Sequence, residues 1–278
     1  MYIRGKLRAG DKPYVRDQLR RGTEAFFYAL MFLTRLPVER FVRSADTEVA
    51  ARAVYFYPLV GALMGSLLLL SAIILAPLGT WLAAALVVTL WVLLTGALHL
   101  DGLADCMDGY YAGHKMADKS ARRERILQVM RDPACGAVAL VALLLVLLLK
   151  VVAVASLWEQ DGGQEGSLLA VLLAPLLART VVLPFMALAD YARSEGVVAP
   201  AQTAGVQTLW LVALVTCALV SLLLGPLVAG VLFSALALLV LYWWRFWHEQ
   251  IGGYTGDCLG ALVELSELLV LILLVALW

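Results

Sequence analysis

AVYFYPLVGALMGSLLLLSAIILAPLGTWLAAALVVTLWVLLTGALHL, residues 53–100, runs from just after Arg52 to just before Asp101 without one Asp, Glu, Lys or Arg. A spanning helix needs about 20 predominantly apolar residues, so this stretch holds two spans, at about 53–76 and 80–98. A second charge-free run lies between Glu195 and Arg245. Of the 278 residues, 63% are hydrophobic and only 15% charged. A soluble domain carries about 25% charged residues, so a soluble globular enzyme is excluded. Unbroken apolar blocks also exclude a disordered chain or a heptad coiled coil.

Working outward, further spans are expected at about 134–157, 167–189, 207–224, 227–244 and 258–278. The patch Ala25–Leu36 is short and closed by Pro37, which predicts an interfacial or re-entrant helix. The expected fold is all-α, a polytopic membrane helix bundle with about seven transmembrane helices in one domain over 1–278. Its polar parts are a basic N-terminal segment, 1–22, and a catalytic segment, 99–133. The N-terminal bases Arg4, Lys6, Arg8, Lys12, Arg16, Arg20 and Arg21 precede the first apolar stretch without a small-residue cleavage site, so a cleaved signal peptide is not expected. Four isolated cysteines, with no paired spacing, predict neither a disulfide framework nor a zinc site.

Positive loops near spans stay on the cytoplasmic side. With the N-terminus inside, seven spans place 99–133, with Lys115, Lys119, Arg122, Arg123, Arg125 and Arg131, on that side. They place the acidic loop 158–166, with Glu159, Asp161 and Glu165, outside. Segments 190–206, with Arg193, and 245–257, with Arg245, also fall inside. The expected location is therefore a membrane, with all the chemically rich segments sharing its cytoplasmic face.

The chemistry concentrates in two acidic stripes. Asp101, Asp105 and Asp108 are spaced i, i+4, i+7, which stacks three carboxylates on one helix face. At a separation of about 6 Å and an effective dielectric near 20, each pair repels by roughly 3 kcal/mol. A hard divalent cation, Mg2+ by preference, is the natural compensator, because magnesium bridges a few carboxylates to substrate phosphates. Beside it stand His99 and the basic segment, whose Arg125 and Arg131 suit phosphate. Asp257, Glu264 and Glu267 form the second stripe on an apolar helix, where acids mark function. Gly256 and Gly260 let a ligand or another helix approach it. Arg179, between Pro175 and Pro184, is expected on a kinked helix lining a cavity, facing a substrate phosphate or a glutamate. Lys150, with its long stem among apolar residues, is expected to snorkel to an interface.

These motifs resemble the cobalamin synthase family, the adenosylcobinamide-GDP ribazoletransferases, over nearly the whole chain. The resemblance rests on FLTRLP (Phe32 to Pro37), YPLVG (Tyr57 to Gly61), LTGALHLDGLADCMDG (Leu94 to Gly109), RERILQVMRDPACGA (Arg123 to Ala137), YARSEG (Tyr191 to Gly196) and GGYTGDCLGALVELSE (Gly252 to Glu267). Two departures stand out. The family has a second glycine where this chain has Ala97, and an Arg-Ile pair where it has Ala134-Cys135, removing a base beside the phosphate clamp.

The resemblance implies a metal-dependent transfer from adenosylcobinamide-GDP to alpha-ribazole or its 5'-phosphate, releasing GMP. On that reading Asp101, Asp105 and Asp108 hold metal, and Asp101, Asp105, Asp257, Glu264 and His99 are the catalytic candidates. Asp257 would serve as second metal ligand or general base, while Arg125, Arg131, Arg179 and Arg193 bind substrate. The implied partners are the two substrates and membrane lipid; nucleic acid is not expected, and a homo-oligomer is compatible. Two alternatives remain open from the residues. A CDP-alcohol phosphotransferase fits Asp105, Asp108, Gly109 and Ala112 but not Gly113, where its motif has Arg. A cation-coupled transporter would use Asp101, Glu264 and Arg179 as a relay.

Overall fold

The computed structural model describes residues 11–43, 46–160, 165–193 and 203–278. The bases Arg4, Lys6 and Arg8, the acid Asp161 and the end of the YARSEG motif lie outside the described residues. Eleven α-helices follow in chain order: α1 (Asp11–Leu33), α2 (Thr47–Ala53), α3 (Tyr57–Leu75), α4 (Thr80–Thr95), α5 (Leu98–Gly113), α6 (Lys119–Val129), α7 (Ala137–Gln160), α8 (Glu165–Leu188), α9 (Val206–Leu224), α10 (Pro226–Ile251) and α11 (Gly256–Leu277). Among the described residues the one departure from helix and turn is a parallel bridge between Tyr191 and Tyr254. Among the described residues six helices are each long and apolar enough to span a membrane, and α4 with α5, bent by 85°, makes a seventh if counted as one broken span. The chain is therefore a multi-pass membrane helix bundle, as its hydropathy predicts.

With lipid as solvent, helices associate through close packing and internal polar contacts, since lipid tails are as apolar as leucine. Gly61 and Gly65, four apart on α3, lie against the backbone of Pro175 and Leu172 on α8, so near that a Cβ at either position would collide with it. Pro175 and Pro184 both sit inside one continuous helix, and α3 packs against the backbone at the first of them. α8 and α11 form the buried centre, with Leu173, Leu177, Leu183, Leu262 and Leu271 inaccessible to solvent. α7 and α9 turn rows such as Leu144, Leu148, Leu211 and Leu214 outward, a surface matched to acyl chains.

The bend between α4 and α5 positions the acids. Gly96 and Ala97 both adopt the left-handed conformation, each at φ 60°. Their N–H groups donate back to Leu93 and Val92 carbonyls at 3.2 and 3.1 Å, a Schellman closure that satisfies the end of α4. The FLTRLP motif braces this corner: Arg35 N–H donates to the Leu94 carbonyl at 2.8 Å, and the Arg35 side chain lies against Gly96. Span-like character thus stops at Thr95, and the expected span 80–98 is shortened by the corner.

Ala97 is the one non-glycine residue at positive φ among those described. An L-residue in that region costs about 1–2 kcal/mol, partly offset because glycine gives the unfolded chain about 0.4–1 kcal/mol more entropy. Ala97→Gly is therefore expected to stabilise the protein by about 0.5–1 kcal/mol, seen as a higher unfolding temperature in detergent. A lower one would show that the corner does not require the left-handed geometry.

Candidate active site

α5 and α11 meet through glycines. A Cβ on Gly102 would lie 2.8 Å from the Asp257 carbonyl oxygen, and one on Gly260 would lie 3.3 Å from the His99 Cα. This approach brings both acidic stripes together. Thr255 caps α11, its hydroxyl accepting from Cys258 N–H at 3.4 Å and donating to Asp257 Oδ2 at 3.1 Å. Arg193 donates to the same Asp257 oxygen at 3.0 Å.

Asp101 and Asp105 have no basic side chain within 4 Å among the described residues. Asp105 is half-buried on α5, beyond the bend that ends the span direction. Burial first, then the Asp257 and Asp101 carboxylates, push its carboxyl up to about 7. No group of three His, Cys, Asp or Glu that could hold a metal ion is formed among the described residues. Asp108 stands differently: its Oδ2 accepts the Gly136 N–H at 2.5 Å, tying α5 to the loop before α7.

Two hollows flank α5. The inner one, about 310 Å³, is lined by Phe32, Tyr57, His99, Arg179, Tyr191 and Arg193 together with Asp101 and Asp257. The outer one, about 470 Å³, is lined by Asp101, Asp105, Arg131, Asp132, Ala134 and Cys135. Arg131 continues into a groove along α6 with Arg123 and Arg125. Arg125 is exposed and donates to Gln128 at 2.9 Å.

Glu264, Glu267, Lys150 and Arg179 form a buried ion cluster next to this site. Lys150 donates to Glu264 at 2.6 Å and to Glu267. Arg179 pairs with Glu267 and reaches His99 Nδ1 at 3.3 Å. Trp91 Nε1 adds a donor to Glu267 at 3.2 Å. Lys150 does not snorkel: it is 3% exposed, as is Glu264, and Arg179 and Glu267 are fully buried. Because guanidinium only donates, His99 Nδ1 is the acceptor in this contact. Glu264 lies in this cluster, not on either hollow. Of the two partners foreseen for Arg179, the structure shows the glutamate.

The residue pattern did not single out Arg123. Its Nε donates to the Ile251 carbonyl at 2.8 Å and its guanidinium to the Ala192 carbonyl at 3.0 Å. It thereby clasps the segment bearing Arg193 to the turn that leads into α11, and the two backbones also pair through Ala192 N–H to Tyr254 O at 2.8 Å and Tyr254 N–H to Asp190 O at 2.9 Å. A base in a cytoplasm-type cluster looks like topology; only the fold shows it holding two distant segments.

The fold and site thus define an integral membrane enzyme with a carboxylate-rich centre suited to a phosphate-bearing substrate. The chain belongs to the cobalamin-5-phosphate synthase family, whose profile matches residues 25–275. It is 43% identical over 254 residues to the adenosylcobinamide-GDP ribazoletransferase of Pseudomonas putida strain GB-1, covering 89% of this chain and 96% of that one. The enzyme of the same name from Pseudomonas aeruginosa strain PAO1 is 43% identical over 258 residues, 92% and 99% of the two chains. That from Pseudomonas fluorescens strain Pf-5 is 40% identical over 253, 89% and 97%. No solved structure matches the chain. Family membership sets aside the CDP-alcohol phosphotransferase and the transporter.

Proposed function

We infer that the chain transfers the adenosylcobinamide phosphate group from adenosylcobinamide-GDP to a ribose hydroxyl of alpha-ribazole or its 5'-phosphate, releasing GMP. Beyond the family, the observation that carries this reading is the meeting of Asp101, Asp105 and Asp257, drawn from two helices, beside Arg131 and Arg193. In the reaction the ribose oxygen forms a bond to the cobinamide-side phosphorus, the bond from that phosphorus to the GMP oxygen breaks, and the hydroxyl proton leaves to a carboxylate.

Asp101 and Asp105 would hold a divalent cation, which supplies charge neutralisation on the diphosphate. Arg131 and Arg125 offer guanidinium forks to phosphate oxygens. Asp257, held by Thr255 and Arg193, is placed to accept the hydroxyl proton. Arg179 and His99 shape the inner end of the cavity. Purified protein given adenosylcobinamide-GDP and magnesium should release GMP only when alpha-ribazole or its 5'-phosphate is present; no release with either would remove the reading.

The same reading places the site on the cytoplasmic side of a bacterial inner membrane, supported by the basic residues of 99–133. Lys115→Cys and Lys119→Cys are expected to be labelled by an impermeant maleimide only in inverted vesicles, and Glu159→Cys only in intact cells with a permeabilised outer membrane. The opposite pattern would reverse the orientation.

A further inference from the structure

The two hollows lie on opposite flanks of α5, and Asp101 alone of their described lining residues belongs to both. Leu98 and Gly102, one helical turn apart, face the inner cavity, whereas Ala97, Leu100 and Ala104 face the outer hollow. The two differ in chemistry. The inner cavity of about 310 Å³ has aromatic walls in Phe32, Tyr57 and Tyr191, and lies at the small end of the roughly 300–1,000 Å³ that encloses drug-sized ligands. Arg179 also borders it, fully buried, with its Nε enclosed in protein and without a partner among the described residues. The outer hollow of about 470 Å³ meets the α6 groove of about 790 Å³ at Arg131. Neither has an aromatic lining residue among those described, and Arg131, Arg123 and Arg125 border them.

We propose that the inner cavity is the site of the acceptor nucleoside, and that the outer hollow with the α6 groove receives the nucleoside diphosphate of the donor. This allocation rests on the transferase reading above. An aromatic base on a ribose fits the inner cavity by size and finds aromatic side chains for edge or offset contacts. The donor carries a corrin macrocycle too large for 310 Å³, so it is confined to the open side, where arginines meet its phosphates. The reacting hydroxyl and phosphorus then approach from opposite flanks of α5 and meet at Asp101, the residue common to both.

Ala134→Arg and Tyr191→Ala test the allocation, with the affinity of each substrate measured alone by calorimetry in detergent with magnesium. Ala134 is exposed on the loop before α7, so the new arginine adds a base without disturbing the core. The backbone hydrogen bonds on either side of Tyr191, at Asp190 and Ala192, survive its truncation. Ala134→Arg is expected to tighten adenosylcobinamide-GDP about two- to fivefold, the range of an exposed charge contact, and to leave alpha-ribazole unchanged. Tyr191→Ala is expected to weaken alpha-ribazole about tenfold and leave the donor unchanged. Leu98→Trp, at a partly exposed position on the inner wall, should also weaken only alpha-ribazole. The reversed pattern, no change in donor affinity with Ala134→Arg, or both substrates shifting together in the inner-wall variants overturns the allocation. Wild-type protein that binds both substrates without releasing GMP would instead defeat the transferase reading.

Discussion

Asp105→Asn and Asp257→Asn are each expected to lower GMP release by roughly 10²–10³-fold, the loss when one preorganised electrostatic contact to a transition state is removed. The double variant should be scarcely worse than either. α5 and α11 touch where Gly102 faces the Asp257 backbone, and Asp257 is the carboxylate that acts most strongly on Asp105. Groups that act as one unit are strongly non-additive in rate. Losses that multiply, reaching roughly 10⁴–10⁶, would place Asp257 outside the catalytic unit and leave the α5 stripe with the basic segment. Stability supplies an independent reading. Asp105 has no cationic partner among the described residues, so Asp105→Asn relieves repulsion without breaking a pair. Its unfolding temperature should not fall while activity collapses. A carboxylate retained for packing would show the reverse.

Composition and spacing were sufficient for the spans and for the face that carries Asp101, Asp105 and Asp108, because both follow from periods of a single helix. What they could not give was anything made by two distant segments. The 85° corner at Gly96-Ala97 leaves only a glycine as a local signal, since apolar character continues through it to Leu100. The Arg123 clasp joins three segments, and its residue type is shared with five other bases nearby. Lys150 is a different case. It lies ten residues before the end of α7 at Gln160, about 15 Å along the helix, too deep for its stem to reach an interface. That depth was readable from span boundaries, and it favoured a buried partner over snorkelling.

Lys150→Met is expected to destabilise the protein by about 3–5 kcal/mol, the cost of removing one member of a buried ion pair and leaving the other uncompensated. Lys150 and Arg179 balance Glu264 and Glu267, two charges of each sign. Without Lys150 the cluster carries an excess negative charge at 0–3% exposure, with Arg179 alone facing two glutamates. Adding Glu264→Gln removes that excess and leaves the Arg179–Glu267 pair, still supported by Trp91. The double variant should therefore recover most of the lost stability, and a buried apolar pair can even exceed the native one. Its activity is the more telling measurement. If the cluster serves to fix Arg179 and His99 at the inner cavity, the double variant should keep turnover near wild type, because both remain anchored through Glu267. If Glu264 itself takes part in proton transfer, turnover should fall by orders of magnitude even though the fold returns. A restored unfolding temperature with normal GMP release would assign Glu264 to structure, and the transfer chemistry to Asp101, Asp105 and Asp257.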